Sequence, residues 1–159
     1  MSYQFHAMSD KEAQAISTWH YEPPYDFYDL EQDPEDLAEF LSAEKRAERY
    51  FVVYDEQGQL IGFFVFTPGE NGVLEIGLGL HPDLTGHGTG SHYITAGLDF
   101  AHDHFRPTTF ALRVAAFNTR AKKVYERAGF IPRYTYEQHT NGGAFPFVYM
   151  TKAVKNSPE

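Results

Sequence analysis

The sequence predicts a mixed central β-sheet flanked by helices on both sides, an α/β (α+β) arrangement. Two observations carry that expectation. Apolar residues alternate through Tyr50 to His81, Phe110 to Phe117 and Pro132 to Lys152, the period of strands. Between and before these runs lie four stretches of helical spacing, each with a recognisable start or stop signal. The resulting order is β-α-α-β-β-β-α-β-α-β-β, with no repeat, low-complexity tract or linker to divide it, so residues 1–159 are expected to pack as one domain.

Tyr3 to Ala7 reads as a short first strand. Ser9 with Glu12 three residues later forms a capping box and opens a helix that carries Ala13, Ile16, Ser17 and His20 on neighbouring turns, until Pro23 and Pro24 stop it. Asp33 followed by Pro34 is an N-cap with proline at the first helical position. Leu37, Phe40 and Leu41 give that second helix its buried stripe, and it is expected to end near Arg46. Tyr50 to Tyr54 and Leu60 to Thr67 are joined by a hairpin at Asp55 to Gln59, and Gly69 to Gly72 turns the chain into a third run, Val73 to His81. A helix from Ser91 carries Ile94, Leu98, Ala101 and Phe105 on one face. The strand Phe110 to Phe117 leads into a helix from Thr119 to Ala128, which Gly129 stops as a left-handed cap. Strands Pro132 to Gln138 and Phe145 to Lys152 flank a turn at Asn141-Gly142-Gly143.

With 42% apolar and 16% aromatic residues, the chain can bury a core, and a domain of this length hides about 70% of the surface its unfolded form exposes. No apolar run is long enough to span a bilayer, and the N-terminus lacks a basic-then-apolar export pattern. Cysteine is absent, which removes disulfides, thiolate nucleophiles and cysteine metal sites, and suits a cytoplasmic location. A net charge of −9 disfavours nucleic acid, whose binders need a basic footprint, and favours a cationic or neutral partner. The oligomeric state stays open, a homodimer included.

Gly86, Gly88 and Gly90 alternate in the loop between the third strand and the following helix. Free N–H groups and the positive dipole end at such a junction make an anion site without a basic side chain, and the missing Cβ atoms let oxygens approach. The loop alone reads equally well as a turn whose glycines only permit its shape. A dinucleotide fingerprint fails because Ser91 stands where the third glycine belongs and no acidic residue follows near position 108. A Walker A loop fails because the segment has no lysine.

What remains is Gly88-Thr89-Gly90 after a strand with an acidic residue, followed by Asn118-Thr-Arg-Ala121-Lys-Lys-Val-Tyr125-Glu-Arg-Ala-Gly129-Phe130. In this pairing the chain resembles the GNAT superfamily of N-acetyltransferases, in motif from about Arg49 to Phe130 and in element order along nearly its whole length. The resemblance implies a GNAT-like acyl-CoA N-acyltransferase fold and acetyl-CoA as cofactor. The pyrophosphate would rest on the loop Thr85, Gly86, His87, Gly88, Thr89, Gly90 and Ser91 below Leu80, and the pantetheine arm on Asn118; Arg120, Lys122 and Lys123 are in reach of the 3′-phosphate but read more simply as a solvated helix face. Family loops usually begin with Gln or Arg where this chain has Thr85, which places more weight on backbone N–H groups, helped by His87.

Acetyl transfer to an amine poses two proton problems. An alkylamine is only about one part in two thousand neutral at pH 7, a cost of roughly 4 to 5 kcal/mol before attack, and the departing thiolate needs a proton. By its place in the motif Tyr125 is the expected donor; taken alone it would read as a core aromatic beside Val124. Asn118 serves equally as a helix cap, and both roles are compatible. Glu75 is the expected base: alternation puts it with Gly77, Gly79 and His81 on one face and Leu74, Ile76, Leu78 and Leu80 on the other. The alternative is a glutamate on a solvated sheet face.

From Glu22 to Glu39 the chain carries eight carboxylates and no Lys or Arg, interleaved with Tyr25, Phe27 and Tyr28. In GNAT-like folds the corresponding segment lines the acceptor pocket, which implies Glu22, Tyr25 and Tyr28 as substrate-binding residues and a small-molecule or peptide amine as partner. Each aromatic also reads as packing against the sheet. His102 and His104 point to different helix faces, and His81, His87 and His92 lack accompanying ligands, so no metal site is expected. The sequence thus points to direct acetyl transfer from acetyl-CoA to a primary amine, with neither a cysteine nor a G-x-S-x-G elbow to form an acyl-enzyme. The rivals are a non-catalytic acyl-CoA-binding sensor of the same fold and a protein-recognition surface around Tyr25.

Overall fold

The computed structural model describes residues 2–154. One seven-stranded sheet in the order β1-β2-β3-β4-β5-β7-β6 organises the chain. The strands are β1 (Gln4–Ala7), β2 (Tyr50–Tyr54), β3 (Leu60–Pro68), β4 (Val73–Leu80), β5 (Thr109–Ala115), β6 (Ile131–Thr140) and β7 (Gly143–Ala153). Only β4 and β5 run parallel; every other neighbouring pair is antiparallel.

Pleat alternation divides the apolar residues into two cores, one on each face. Phe51, Val53, Phe64, Phe66, Leu74 and Ile76 point to the side covered by α4 (Gly90–Phe105), which contributes Tyr93, Ile94, Leu98 and Ala101, and by α5 (Thr119–Arg127). Tyr50, Val52, Phe63 and Val65 point to the other side, where Ala13 and Ile16 of α1 (Asp10–Ser17) and Phe40 of α2 (Pro34–Phe40) meet them. The expected two-sided arrangement is therefore present.

The caps explain where helices start. Ser9 and Glu12 exchange the expected capping-box hydrogen bonds, and Asp33 accepts from Glu35 N at 3.0 Å and Asp36 N at 3.2 Å. The helix expected to run on to Arg46 instead breaks after Phe40. Ser42 recaps a separate turn, α3 (Ala43–Arg46), by accepting from Lys45 N, and Arg46 turns back to donate to the Phe40 carbonyl and pair with Asp10. Between α1 and α2 the acidic aromatic stretch is not an open loop: Tyr25–Tyr28 and Leu30–Gln32 form short 3-10 turns. No helix is long and apolar enough to cross a membrane among the described residues.

Candidate active site

The parallel pair β4 and β5 stays in register for only three positions, Val73↔Thr109, Leu74↔Phe110 and Glu75↔Ala111, and then parts. β4 continues against β3 as far as Gly62↔Leu80, and β5 against β7 as far as Ala115↔Phe147. Beyond Glu75 the outer edge of β4 therefore faces a gap, and backbone groups in such a gap need water or a ligand as partner. Ile76 to Leu80 and Leu112 to Val114 line a cavity of about 360 Å³ that opens there. Its roof comes from the α1–α2 segment: Trp19, Tyr21, Tyr25, Tyr28 and Leu30. The Tyr21 hydroxyl donates to the Leu80 carbonyl at 2.8 Å, which pins this roof to the end of β4.

A second cleft, of about 550 Å³, lies between the glycine loop and α5. The loop is shaped from within, because Thr85 Oγ1 donates to the Pro82 carbonyl, Thr89 Oγ1 to the Leu84 carbonyl, and Gly86 and Gly88 both hold φ at 77°. α4 then starts at Gly90 with Thr89 as N-cap but with no side-chain cap hydrogen bond. Its first N–H groups are left for an external acceptor, whereas the first turn of α5 is closed by Asn118 Oδ1 on Ala121 N. Arg120, Lys123 and Arg127 line the cleft, and no carboxylate does among the described residues. On a chain of net charge −9, that is a local cationic surface beside a helix N-terminus.

Tyr125 lines both the cavity and the cleft, and so do Asn118, Arg120, Leu78 and Leu80. Burial, reinforced by nearby Tyr28, pushes the Tyr125 phenol well above its ordinary pKa, so it stays protonated. No group among the described residues hydrogen-bonds that hydroxyl. Asn118 also donates through Nδ2 to the Tyr28 hydroxyl at 3.2 Å. The Arg120 guanidinium lies 4.0 Å above the Tyr25 ring. Helix α5 is thus joined to the roof of the cavity at two places.

The residues expected to hold a cofactor all line the cleft except His87, Thr89 and Lys122, and Lys122 Nζ donates instead to the Ala116 carbonyl at 2.6 Å. Tyr25 and Tyr28 are brought to the cavity, while Glu22 is exposed and does not line it. Glu75 does share a face with Gly77 and Gly79, but its carboxylate is outside the cavity lining and accepts from Arg113 Nε at 2.8 Å. Nor is the space at Gly79 empty: a Cβ there would stand 2.2 Å from Phe63, whose ring fills the gap. Three carboxylates of the acidic stretch are engaged elsewhere. Asp29 accepts from His20 and from Tyr21 N, Asp33 from the α2 amides, Thr140 and Asn141, and Glu39 from the Tyr50 hydroxyl.

Arg113 and Phe63 line the cavity without having been anticipated. Arg113 had a signal, since it is the single charge in the strand Phe110–Phe117, FALRVAAF. Its pKa is raised by the hydrogen bond to Glu75, and its Nη1 donates to the Tyr136 hydroxyl at 3.0 Å. His20, Asp29 and Glu31 place one ligand-type atom each within 4.8 Å of one another, but Asp29 already accepts two hydrogen bonds in that group.

The family model of the acetyltransferase (GNAT) family matches residues 13–130. No curated protein matches the chain. Among solved structures, the spermidine N-acetyltransferase of Vibrio cholerae in complex with CoA and spermine is similar with a TM-score of 0.76 at 20% identity, over 95% of each chain. A chimera of that Vibrio cholerae enzyme with hSSAT gives 0.72 at 22% identity over 96% of each. A GNAT-family acetyltransferase from Bacillus anthracis gives 0.74 at 16% identity, over 96% of this chain and 95% of that one. At these identities the likeness is one of fold.

Proposed function

The chain belongs to the acetyltransferase (GNAT) family, and we propose that it transfers the acetyl group of acetyl-CoA to a primary amine by direct attack, with Tyr125 protonating the leaving sulfur. The cleft fits this polyanionic cofactor on its own chemistry: uncapped N–H groups at the start of α4, two positive-φ glycines and three cationic side chains without a carboxylate. When bound, acetyl-CoA supplies an activated thioester carbonyl.

The rest is work for the chain's own residues. The loop from Thr85 to Ser91 with Arg120, Lys123 and Arg127 binds phosphates, and the free edge of β4 beyond Glu75 offers backbone partners to an extended arm. Trp19, Tyr21, Tyr25 and Tyr28 enclose the acceptor and exclude water. The Tyr125 hydroxyl, held neutral by its surroundings, has a proton to give and no competing partner among the described residues. Glu75 is better placed to hold Arg113 than to take a proton from an amine, so we assign it that positioning role. The amine's proton leaves to water through the cavity mouth.

The single observation that carries this reading is the place of Tyr125 on the boundary of cleft and cavity. The test is thiol release from acetyl-CoA with a panel of amines, run on the wild-type protein and on Tyr125→Phe. Loss of a general acid lowers turnover by about 10²–10⁴-fold, while acetyl-CoA affinity stays near the wild-type value. Turnover unchanged in Tyr125→Phe removes the role assigned to it. The Vibrio cholerae enzyme acts on spermidine, and at 20% identity that acceptor does not carry over.

A further inference from the structure

The charge inside the acceptor cavity is opposite to that of the segment roofing it. Although the stretch from Glu22 to Glu39 holds eight carboxylates and no Lys or Arg, none of them lines the cavity among the described residues. The charged groups that do are two guanidinium ions, Arg113 and Arg120. Arg120 also lines the phosphate cleft, and its guanidinium stacks on Tyr25 of the cavity roof. Arg113 lines the cavity and not the cleft, and is therefore the cation that belongs to the acceptor side alone.

Arg113 is held as a rigid receptor. Glu75 takes Nε at 2.8 Å, the Tyr136 hydroxyl takes Nη1 at 3.0 Å, and the rings of Tyr136 and Tyr149 lie 5.5 and 5.4 Å from the guanidinium carbon. Its Nη2 has no partner among the described residues. A guanidinium fixed on one side with a free nitrogen on the other presents a donor to an oxyanion. Around it the walls are apolar or aromatic: Ile16, Trp19, Tyr21, Leu30 and Phe63.

We propose that the acceptor is an amine that also carries a carboxylate, the simplest members being amino acids with apolar or aromatic side chains, and that Arg113 is the residue that selects them. The inference rests on the acetyl-transfer reading above and narrows it. A polyamine would bring further positive charge to a cavity whose described lining holds two guanidinium groups and no carboxylate, Glu75 being engaged by Arg113 outside that lining, and an unpaired charge in a partly closed cavity is disfavoured. A carboxylate partnered by Arg113 reverses that balance. The same cations also favour the neutral, nucleophilic form of a nearby amine, which eases the first proton problem without a dedicated base.

The experiment is calorimetric titration of matched pairs into the CoA-saturated protein: phenylalanine against phenethylamine, tyrosine against tyramine, leucine against isopentylamine, with spermidine as a carboxylate-free polycation. At least one amino acid is expected to bind tenfold or more tightly than both its decarboxylated partner and spermidine. Arg113→Gln erases that preference with CoA affinity unchanged, and Arg113→Lys restores part of it. The side chain is 41% exposed, so both variants should fold, and their thermal transitions check this. Equal or tighter binding of the decarboxylated partners or of spermidine overturns the proposal, and so does binding of no member of the panel. Thiol release in the same mixtures bears separately on the chemistry. Preference for the amino acid without thiol release leaves the proposed ligand class standing and removes acetyl transfer, whereas thiol release with spermidine alone does the reverse.

Discussion

Asn118 Nδ2 donates a hydrogen bond to the Tyr28 hydroxyl at 3.2 Å, tying the helix that carries Tyr125 to the roof of the cavity at the β4–β5 gap. The same amide closes the first turn of α5 through Oδ1. Asn118→Ala removes both interactions, while Asn118→Ser keeps a capping oxygen but is too short to reach Tyr28. Losing the cap costs about 1 to 2 kcal/mol, which for a chain of this size lowers Tm by about 3 to 6 °C. The alanine variant should show that drop together with a severalfold rise in the acceptor's KM. The serine variant should recover most of the Tm and keep the raised KM. Recovery of both would mean that the Tyr28 contact does not shape the cavity.

Gly88 and Gly58 form a matched pair that separates backbone strain from cofactor binding. Both hold a positive φ, 77° and 75°, and an added Cβ would meet nothing within 4 Å at either. Alanine at each therefore costs a similar amount, about 1 to 2 kcal/mol for a left-handed residue with a side chain. Gly88 lines the cleft between the glycine loop and α5, and Gly58, in the β2–β3 turn, lines neither that cleft nor the cavity. Gly88→Ala should weaken acetyl-CoA binding tenfold or more, and Gly58→Ala should leave it unchanged. Equal affinities in a calorimetric titration would show that the loop's close approach is not used.

Those residues were legible because their signals are local. The glycines stand two apart in one loop, and Tyr125 lies about two turns beyond the N-cap Asn118 of one helix, so each set is local in sequence, and the GNAT resemblance joins the two and implies their roles. The cavity was less legible because it arises where β4 and β5 separate after Glu75↔Ala111, a relationship between strands more than thirty residues apart. Alternation placed Glu75 on the correct face beside Gly77 and Gly79, but alternation does not reveal that Phe63 fills the space at Gly79 or that Arg113 holds the carboxylate. The acidic stretch failed as a guide for a similar reason: a count of carboxylates does not say which ones already have donors. Asp29, Asp33 and Glu39 do. Ser42 was a readable cap that ended one helix and began another, masked by the continuous apolar stripe of Leu37, Phe40 and Leu41.

Asp33 links α2 to the far edge of the sheet and gives the fold an acid-sensitive tie. Its Oδ2 accepts from Thr140 Oγ1 at 2.8 Å and Asn141 N at 3.2 Å, while Asn141 Nδ2 donates to the Phe27 carbonyl at 2.7 Å. The Thr140 hydrogen bond is the largest influence on the carboxyl; burial opposes it, and the hydrogen bonds from Asn141 and the α2 amides add to it, so that the pKa lies below its ordinary value. A depressed folded-state pKa stabilises at pH values above the unfolded value of about 4 and ceases to as pH falls through the folded one. Asp33→Ala should therefore melt below wild type by a constant margin from pH 5 to 7. That margin should narrow below pH 4. A margin unchanged down to pH 3 would show that the charge of Asp33 plays no part in the tie.

Gly97 sets how closely α4 can lie on the sheet, and two opposing effects decide what alanine does there. In a helix interior alanine is favoured over glycine by about 1 kcal/mol. Against that, a Cβ on Gly97 would stand 2.3 Å from both Cε1 and Cζ of Phe64. The Phe64 ring is fully buried, stacks on Phe66 at 5.7 Å between centroids and packs on Tyr93 at 4.8 Å, so it has no direction in which to retreat. Overpacking of this kind costs about 1 to 3 kcal/mol, which outweighs the propensity gain and leaves a net loss of up to about 2 kcal/mol. Relief comes only by lifting α4 off the sheet, and the uncapped first turn that faces the cleft beside α5 moves with it. Gly97→Ala should therefore lower Tm by several degrees and weaken acetyl-CoA binding together. A rise in Tm would mean that the ring does have room and that helix propensity decides the sign.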